Sequence, residues 1–330
     1  MFKLKFAKMY DNKIFEKYNL KPVAEDYYVA KEDMFCVADG VTRDSIKGEA
    51  VPYPKNEEEA KEWVKTYPNP SGAYESAKIC ASQFIKYLQE SDLQNISRET
   101  ILEIVKKVNK DIFKINQNRE IDYLANDYYG CVAVGGYISS NMLYCFSIGD
   151  SHIMALDENG NIQFETINNH KPFENYLENV YSKQNQYDWN NPKDRIMVRR
   201  DYRNKPEMKY QGKDISFGVL TGEKEAEYYI DTYAIDLTNI KYICAYSDGC
   251  EPYFREKSII NKILKEPEII EREGKERTEI EGSYLIINTV EETNELLEDE
   301  LIKAVNNELC EEDENGYTYC YSVANISVKG

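Results

Sequence analysis

Three carboxylates in this chain stand where a strand-like run breaks off. The apolar run Met34 to Ala38 stops at Asp39-Gly40, "KYICAYS" stops at Asp248-Gly249, and Gly149-Asp150-Ser151 joins two further apolar runs. A strand end is a rigid platform, and a following glycine lets the backbone turn sharply and expose its carbonyl. Glu25-Asp26 adds two more carboxylates at the start of the run expected to pair with residues 34–39. Carboxylates gathered without histidine suit hard cations such as Mg²⁺ or Mn²⁺. Two such ions about 4 Å apart hold a bridging hydroxide and a phosphate between them. A single Asp-Gly is more often a turn than a ligand, so the weight lies on the set and its order.

Composition removes several other chemistries. The only histidines in the 330 residues are His152 and His170, which excludes a multi-histidine zinc site and restricts any Ser-His-Asp triad to one of the two. GxxxxGK[ST], GxGxxG and GxSxG are absent. A net charge of −18 opposes binding to a nucleic-acid backbone or an anionic membrane. None of the eight cysteines is spaced as CxxC, and Cys36, Cys80, Cys131, Cys145, Cys244 and Cys320 lie in apolar runs, so reduced, core-filling thiols are expected. The N-terminal "MFKLKFAKMYDNK" has no continuous apolar stretch, and no segment approaches a membrane span, so a cytoplasmic protein is expected.

The elements that must hold these carboxylates follow from periodicity. "DYYVA" and "MFCVAD" read as two strands around the polar turn Lys31-Glu32-Asp33, and residues 44–70 read as a loop. Ser71 caps a helix over residues 72–90, with Ala73, Ala77, Cys80, Phe84 and Leu88 on one face. Ser97 caps a second, with Ile101, Val105, Val108, Ile112 and Ile115 aligned. From Gly130 the period falls to two, and "GCVAVGGYI", "MLYCFSI", "HIMALD" and "NIQFET" read as an antiparallel meander with a hairpin at Glu158-Asn159-Gly160. Residues 168–212 carry no clear period and are either a flap over a site or a disordered insert. "YAIDL", "KYICAYS" and "YCYSVANISV" are expected strands, 252–264 and 290–309 helices, and 265–283 a charged surface insert. Strands and helices come in groups, and no repeat or linker divides the chain. The expectation is one α+β domain over 1–330 with layered antiparallel sheets.

The order of these motifs resembles the metal-dependent protein phosphatases of type 2C. Lys21 precedes "AEDYYVA", and "VADG" (37–40), "GCVAV" (130–134), "SIGDSHIMAL" (147–156), "AYSDG" (245–249) and "ANISV" (324–328) follow in the family's order. The resemblance implies a four-layer αββα sandwich, two antiparallel β-sheets flanked by helices. It also implies hydrolysis of serine or threonine phosphate monoesters by a metal-bridging hydroxide, with two or more Mn²⁺ or Mg²⁺ ions. Carried over by position, Asp39 bridges two metals, the Gly40 carbonyl and Asp248 bind them, and Asp150 serves a weaker metal position. Glu25 and Asp26 hold metal-bound waters. Lys21 stands where the family has a phosphate-binding arginine, and Arg43 is a second candidate for phosphate. The catalytic set is Asp39 and Asp248. The implied partners are a phosphoprotein substrate and a cognate kinase, with no nucleic acid, no membrane and a monomeric state.

Three departures from the family pattern bear on activity. Asp39-Gly40 continues as Val41-Thr42-Arg43, without the histidine that many relatives have there. Lys21 carries the charge of an arginine but not its bidentate fork. Ala324 stands where the family has its last metal-binding aspartate, and no acidic residue follows Glu314. Ala324 supports a second expectation, a phosphatase-like module that binds or regulates without turnover. A two-metal nuclease is a third, opposed by the negative charge and by the lack of interleaved basic and aromatic residues. His152 is expected to be structural and His170, in "NNHKPF", a loop residue.

Overall fold

The computed structural model describes residues 3–10, 18, 20, 25–41, 54–123, 125–188, 191–255, 257–265, 282–288, 310–312 and 318–320. In chain order the principal elements begin with β1 (Lys3–Tyr10), β2 (Tyr27–Lys31), β3 (Met34–Gly40), α1 (Glu57–Thr66), α2 (Gly72–Gln89) and α3 (Arg98–Asn116). Then come β4 (Cys131–Ser139), β5 (Met142–Ile148), β6 (His152–Leu156), β7 (Ile162–Glu165), α4 (Lys171–Tyr176), α5 (Pro192–Asp201), β8 (Lys209–Tyr210) and β9 (Lys213–Asp214). The last group is β10 (Asp231–Asp236), β11 (Tyr242–Tyr246), α6 (Glu251–Arg255), α7 (Lys257–Ile263), β12 (Gly282–Asn288), β13 (Cys310–Glu312) and β14 (Thr318–Cys320).

Two five-stranded antiparallel sheets carry the site. One has the order β10-β5-β4-β3-β2 and the other β1-β12-β11-β6-β7. Their inner faces meet through Phe35, Val37, Val134, Leu143 and Cys145 from the first and Ile153, Ala155, Ile243, Ala245, Leu285 and Ile287 from the second. The outer face of the first sheet is covered by α2 and α3, through Ala77, Cys80, Phe84, Leu88, Ile101, Val105, Val108 and Ile112. The outer face of the second packs Met154, Cys244, Tyr246 and Tyr284 against Cys250, Tyr253, Phe254, Ile260 and Leu264. Each Leu, Ile or Phe buried in this way contributes roughly 1.5–3 kcal/mol against leaving it in water.

The helix pair forms for the reasons its sequence gives. Ser71 and Ser97 accept from the backbone N–H groups of Tyr74 and Thr100 at 3.1 and 3.2 Å, each satisfying an orphan donor of the first turn. Cys36, Cys80, Cys131, Cys145, Cys244 and Cys250 are buried and form no disulfide, and the Cys131 thiol donates to Ser76 O at 3.6 Å.

Two sequence expectations are corrected, the loop over 44–70 and the continuous meander. Within the expected loop over 44–70, Glu57–Thr66 is helical. Asn56 Oδ1 accepts from the Glu59 N–H at 3.0 Å and Asn56 Nδ2 donates back to Glu59 Oε1 at 2.6 Å, a reciprocal cap that outweighs the polar composition. The meander is not continuous. β4 pairs with β5 and β6 with β7, but β5 and β6 belong to different sheets, so the chain changes sheet at Gly149-Asp150-Ser151. Gly149 has φ +84°, and a Cβ there would lie 2.2 Å from Val132 Cγ1. β1 and β12 were not anticipated, yet β12 lies between β1 and β11 in the second sheet. The expected helix over 290–309 lies outside the described residues, as do most of the 265–283 insert and of the closing strand.

The excursion over 168–214 packs Phe173, Val198 and Tyr202 against Ile215, Phe217 and Val219, which follow it, and Val132 of β4. Its root is polar and buried. Arg203 donates to Asp127 through Nη2 at 2.5 Å and Nη1 at 3.1 Å, and Arg199 reaches the same carboxylate at 3.3 Å. Asn204 has φ +54° and spends its amide on Val219 O, Thr221 Oγ1 and Glu223 Oε2 while accepting from Val219 N.

Candidate metal centre

The Asp39 carboxylate leaves β3 one residue before its end, with Val132 of β4 opposite it in register. Gly40 then runs under the start of α2. A Cβ at Gly40 would lie 2.6 Å from Ala73 C and 2.7 Å from Glu25 O, so only glycine lets these three backbones meet. The Gly40 N–H donates to Glu25 O at 3.2 Å and fixes the contact.

Glu25 and Asp26 precede β2, both buried, but they face different partners. The Glu25 carboxylate accepts from the hydroxyls of Tyr67 and, at 3.2 Å, Ser71. Tyr67 is itself stacked on Trp63, ring centroids 4.7 Å apart. Asp26 is fully buried and turns to the other sheet, where Ser247 Oγ donates to its Oδ2 at 2.8 Å. Ser247 Oγ in turn accepts from the Ser283 N–H at 2.9 Å. The hydroxyl beside Asp248 therefore ties the strand ends of both sheets together.

Asp39 stands against both Asp26 and Asp248. Asp248 opens a short 3₁₀ turn, Asp248–Cys250, and is exposed to solvent above this group. Burial pushes the Asp26 carboxyl up to about 6. Although the Asp248 side chain reaches solvent, the hydration it loses to the surrounding protein and the Asp150 charge push its carboxyl up to about 7. Asp150 sits at the crossover between sheets. Burial raises its carboxyl, but the charge and hydrogen bond of His170 outweigh that and hold it below the usual carboxylate range.

These residues fit a divalent cation. Asp26 Oδ1 is buried and meets no hydrogen-bond donor among the described residues. The donors are all oxygens, and their mutual repulsion is what a divalent ion relieves. Among the described residues no three Asp, Glu, His or Cys side chains form a ready coordination shell, so what the chain supplies is a set of oxygens held near one another.

Comparison with known proteins identifies the chain. Residues 70–281 match the sequence model of protein phosphatase 2C. The chain belongs to the protein phosphatase 2C family. The match includes Asp150 and Asp248 and begins after Glu25, Asp26 and Asp39, of which the fold brings Asp26 and Asp39 beside Asp248. Among solved structures the chain is similar to the catalytic domain of the serine/threonine protein phosphatase PstP in complex with two manganese ions, at 12% identity and TM-score 0.53, over 88% of this chain and 100% of that one. It is similar to PstP/Ppp of Mycobacterium tuberculosis at 12% identity and TM-score 0.50, over 86% and 98% of the two chains. A bacterial serine phosphatase gives 13% identity and TM-score 0.51, over 88% and 100%. At such identities the likeness is one of fold. Comparison with curated protein sequences finds no match.

The structure thus brings together Asp26, Asp39, Asp248 and Asp150, with Gly40 beside them, and turns Glu25 toward Tyr67 and Ser71. Lys21, Arg43 and Ala324 lie outside the described residues. Two features escaped the sequence reading. His170, expected to be a plain loop residue, is bonded to Asp150 at 2.9 Å, and its signal was the position directly after the polar Asn168-Asn169 pair. Tyr67, which holds Glu25, carries no local signal at all. Among the described residues no helix is long and apolar enough to cross a membrane.

Proposed function

We propose that this chain is a metal-dependent serine/threonine phosphoprotein phosphatase. The observation that carries the reading is the cluster of Asp26, Asp39 and Asp248, in which burial raises the Asp26 carboxyl and lost hydration with the charges of Asp150 and Asp26 raises that of Asp248. Asp39 is the residue best placed to be shared between two ions, since it borders both other carboxyls. Asp248 and the Gly40 carbonyl would complete the direct ligands, and Asp150 would hold a further ion. Asp26 and Glu25 act one layer out, Asp26 by accepting from Ser247 and Glu25 by pinning the Gly40 backbone. Mn²⁺ or Mg²⁺ bound there would neutralise a substrate phosphate and lower the pKa of a water enough for it to attack phosphorus. Lys21 and Arg43 are assigned to the phosphate as point charge and fork respectively. With Val41 directly after Gly40, the chain offers no imidazole at that position to protonate the leaving alcohol.

Ala324 favours a second reading, in which the fold binds a phosphoprotein without turning it over. Loss of one anionic ligand weakens an oxygen site, because affinity tracks ligand charge. Phosphate release from a phosphothreonine peptide during a Mn²⁺ titration separates the two. Release that requires the cation supports the enzyme. Peptide binding without release at any Mn²⁺ concentration supports the module.

A further inference from the structure

His170 joins the candidate centre to the excursion over 168–214. It is the cap residue before α4, and its own N–H donates to Asn168 Oδ1 at 2.8 Å. The preceding residue is bolted down on two sides, with Asn169 N donating to Gly149 O at 3.0 Å and Asn169 Nδ2 to Tyr229 O at 2.9 Å. The imidazole meets the Phe217 ring edge-on, centroids 4.6 Å apart, and Phe217 packs on Phe173 of α4 at 4.9 Å. From that wedge, Nδ1 lies 2.9 Å from Asp150 Oδ2. An ionised carboxylate only accepts, so Nδ1 carries the hydrogen. Nε2 is buried and has no hydrogen-bond partner among the described residues, so nothing on that side competes for the ring's orientation.

We propose that His170 is a positioning residue for the cation held by Asp150: its Nδ1–H occupies Oδ2 and leaves Oδ1 to take a divalent ion beside Asp248. This rests on the phosphatase reading of the centre. A carboxylate at a chain crossover can rotate about its Cα–Cβ and Cβ–Cγ bonds. A hydrogen bond to one oxygen, from a ring that is itself packed, restricts that rotation further. Outer partners of this kind are worth about 10- to 100-fold in metal affinity. Through the wedge of His170 between Phe217 and Asp150, the folded excursion also sets how firmly that ion is held.

The test is direct counting of bound Mn²⁺ by electron paramagnetic resonance of the free ion, on the full chain and on Asp150→Ala, His170→Ala and His170→Asn. Asp150→Ala identifies the ion that depends on Asp150 by abolishing it. His170→Ala is expected to weaken that ion about 10- to 100-fold and leave the others, whose retention also reports a folded protein. His170→Asn, whose amide N–H reaches where Nδ1–H does, is expected to restore most of the affinity. Equal Mn²⁺ binding in the parent and His170→Ala overturns the proposal and leaves the phosphatase reading standing. So does an asparagine variant no better than alanine. A parent that binds no Mn²⁺ overturns both.

Discussion

Ser247 Oγ donates to Asp26 Oδ2 at 2.8 Å, joining residues 221 positions apart in the chain and strand ends of two different sheets. The bond runs beside Asp39 and Asp248, so it places a buried carboxyl against two others. A folded protein keeps such an arrangement at a cost to its own stability, which gives the first prediction its sign.

A carboxyl whose pKa is higher folded than unfolded binds its proton more tightly in the folded state. The stability this contributes is complete below about pH 4 and is lost as pH rises through the folded value. Asp26 at about 6 and Asp248 at about 7 place the loss between pH 4 and 8. His170, raised chiefly by Asp150 against the effect of burial, acts in the same direction over that window. Asp150, lowered by His170, has its contribution in place throughout. Without metal, the melting temperature is expected to fall by roughly 3–6 °C between pH 5 and pH 8. Mn²⁺ is expected to recover the loss at pH 8 and to do little at pH 5, as read by thermal denaturation.

Asp26→Asn removes a buried charge while keeping an acceptor for Ser247. At pH 8 and without metal the variant is expected to be more stable than the parent by roughly 1–3 kcal/mol, the equivalent of the raised pKa. Its Mn²⁺ affinity is expected to drop about tenfold or more. Urea denaturation and metal titration of the same preparation check both signs at once.

Gly40→Ala places a methyl 2.6 Å from the Ala73 carbonyl carbon and 2.7 Å from Glu25 O, backbone atoms that cannot step aside. Destabilisation of about 1–3 kcal/mol is expected, with loss of Mn²⁺-dependent activity as α2 and residue 25 are forced apart. Gly212→Ala is the control: it meets nothing within 4 Å, and its cost is limited to that of a φ of +79°. Denaturation midpoints of the two variants should separate accordingly.

Asp127→Ala takes from Arg203 the carboxylate that both of its terminal nitrogens reach. Both residues are buried, so the change is expected to cost about 3–5 kcal/mol. Trypsin sensitivity in the 168–214 excursion is expected to rise with it, since Arg203 and Asn204 are its root.

Local signals in the sequence carried much of this structure. Ser71 and Ser97, each followed by an apolar stripe, define α2 and α3, and the alternation from Gly130 defines four strands. The change of sheet at Asp150 was hidden because strand periodicity says nothing about which neighbour a strand chooses. Lys3–Tyr10 alternates polar and apolar residues and still went unread, since an alternating terminal strand is visible only once β12 is there to pair with it. At the site, Asp39 and Asp248 stood out by their position at strand ends. The split between Glu25 and Asp26, one toward Tyr67 and one toward Ser247, depends on side chains distant in sequence and has no local trace.

Hydrolysis of p-nitrophenyl phosphate under a Mn²⁺ titration, for the parent, Asp39→Ala and Ala324→Asp, tests the central claim most directly. The account predicts Mn²⁺-dependent phosphate release that Asp39→Ala abolishes and Ala324→Asp raises. No release from any of the three, with all of them folded, would contradict it.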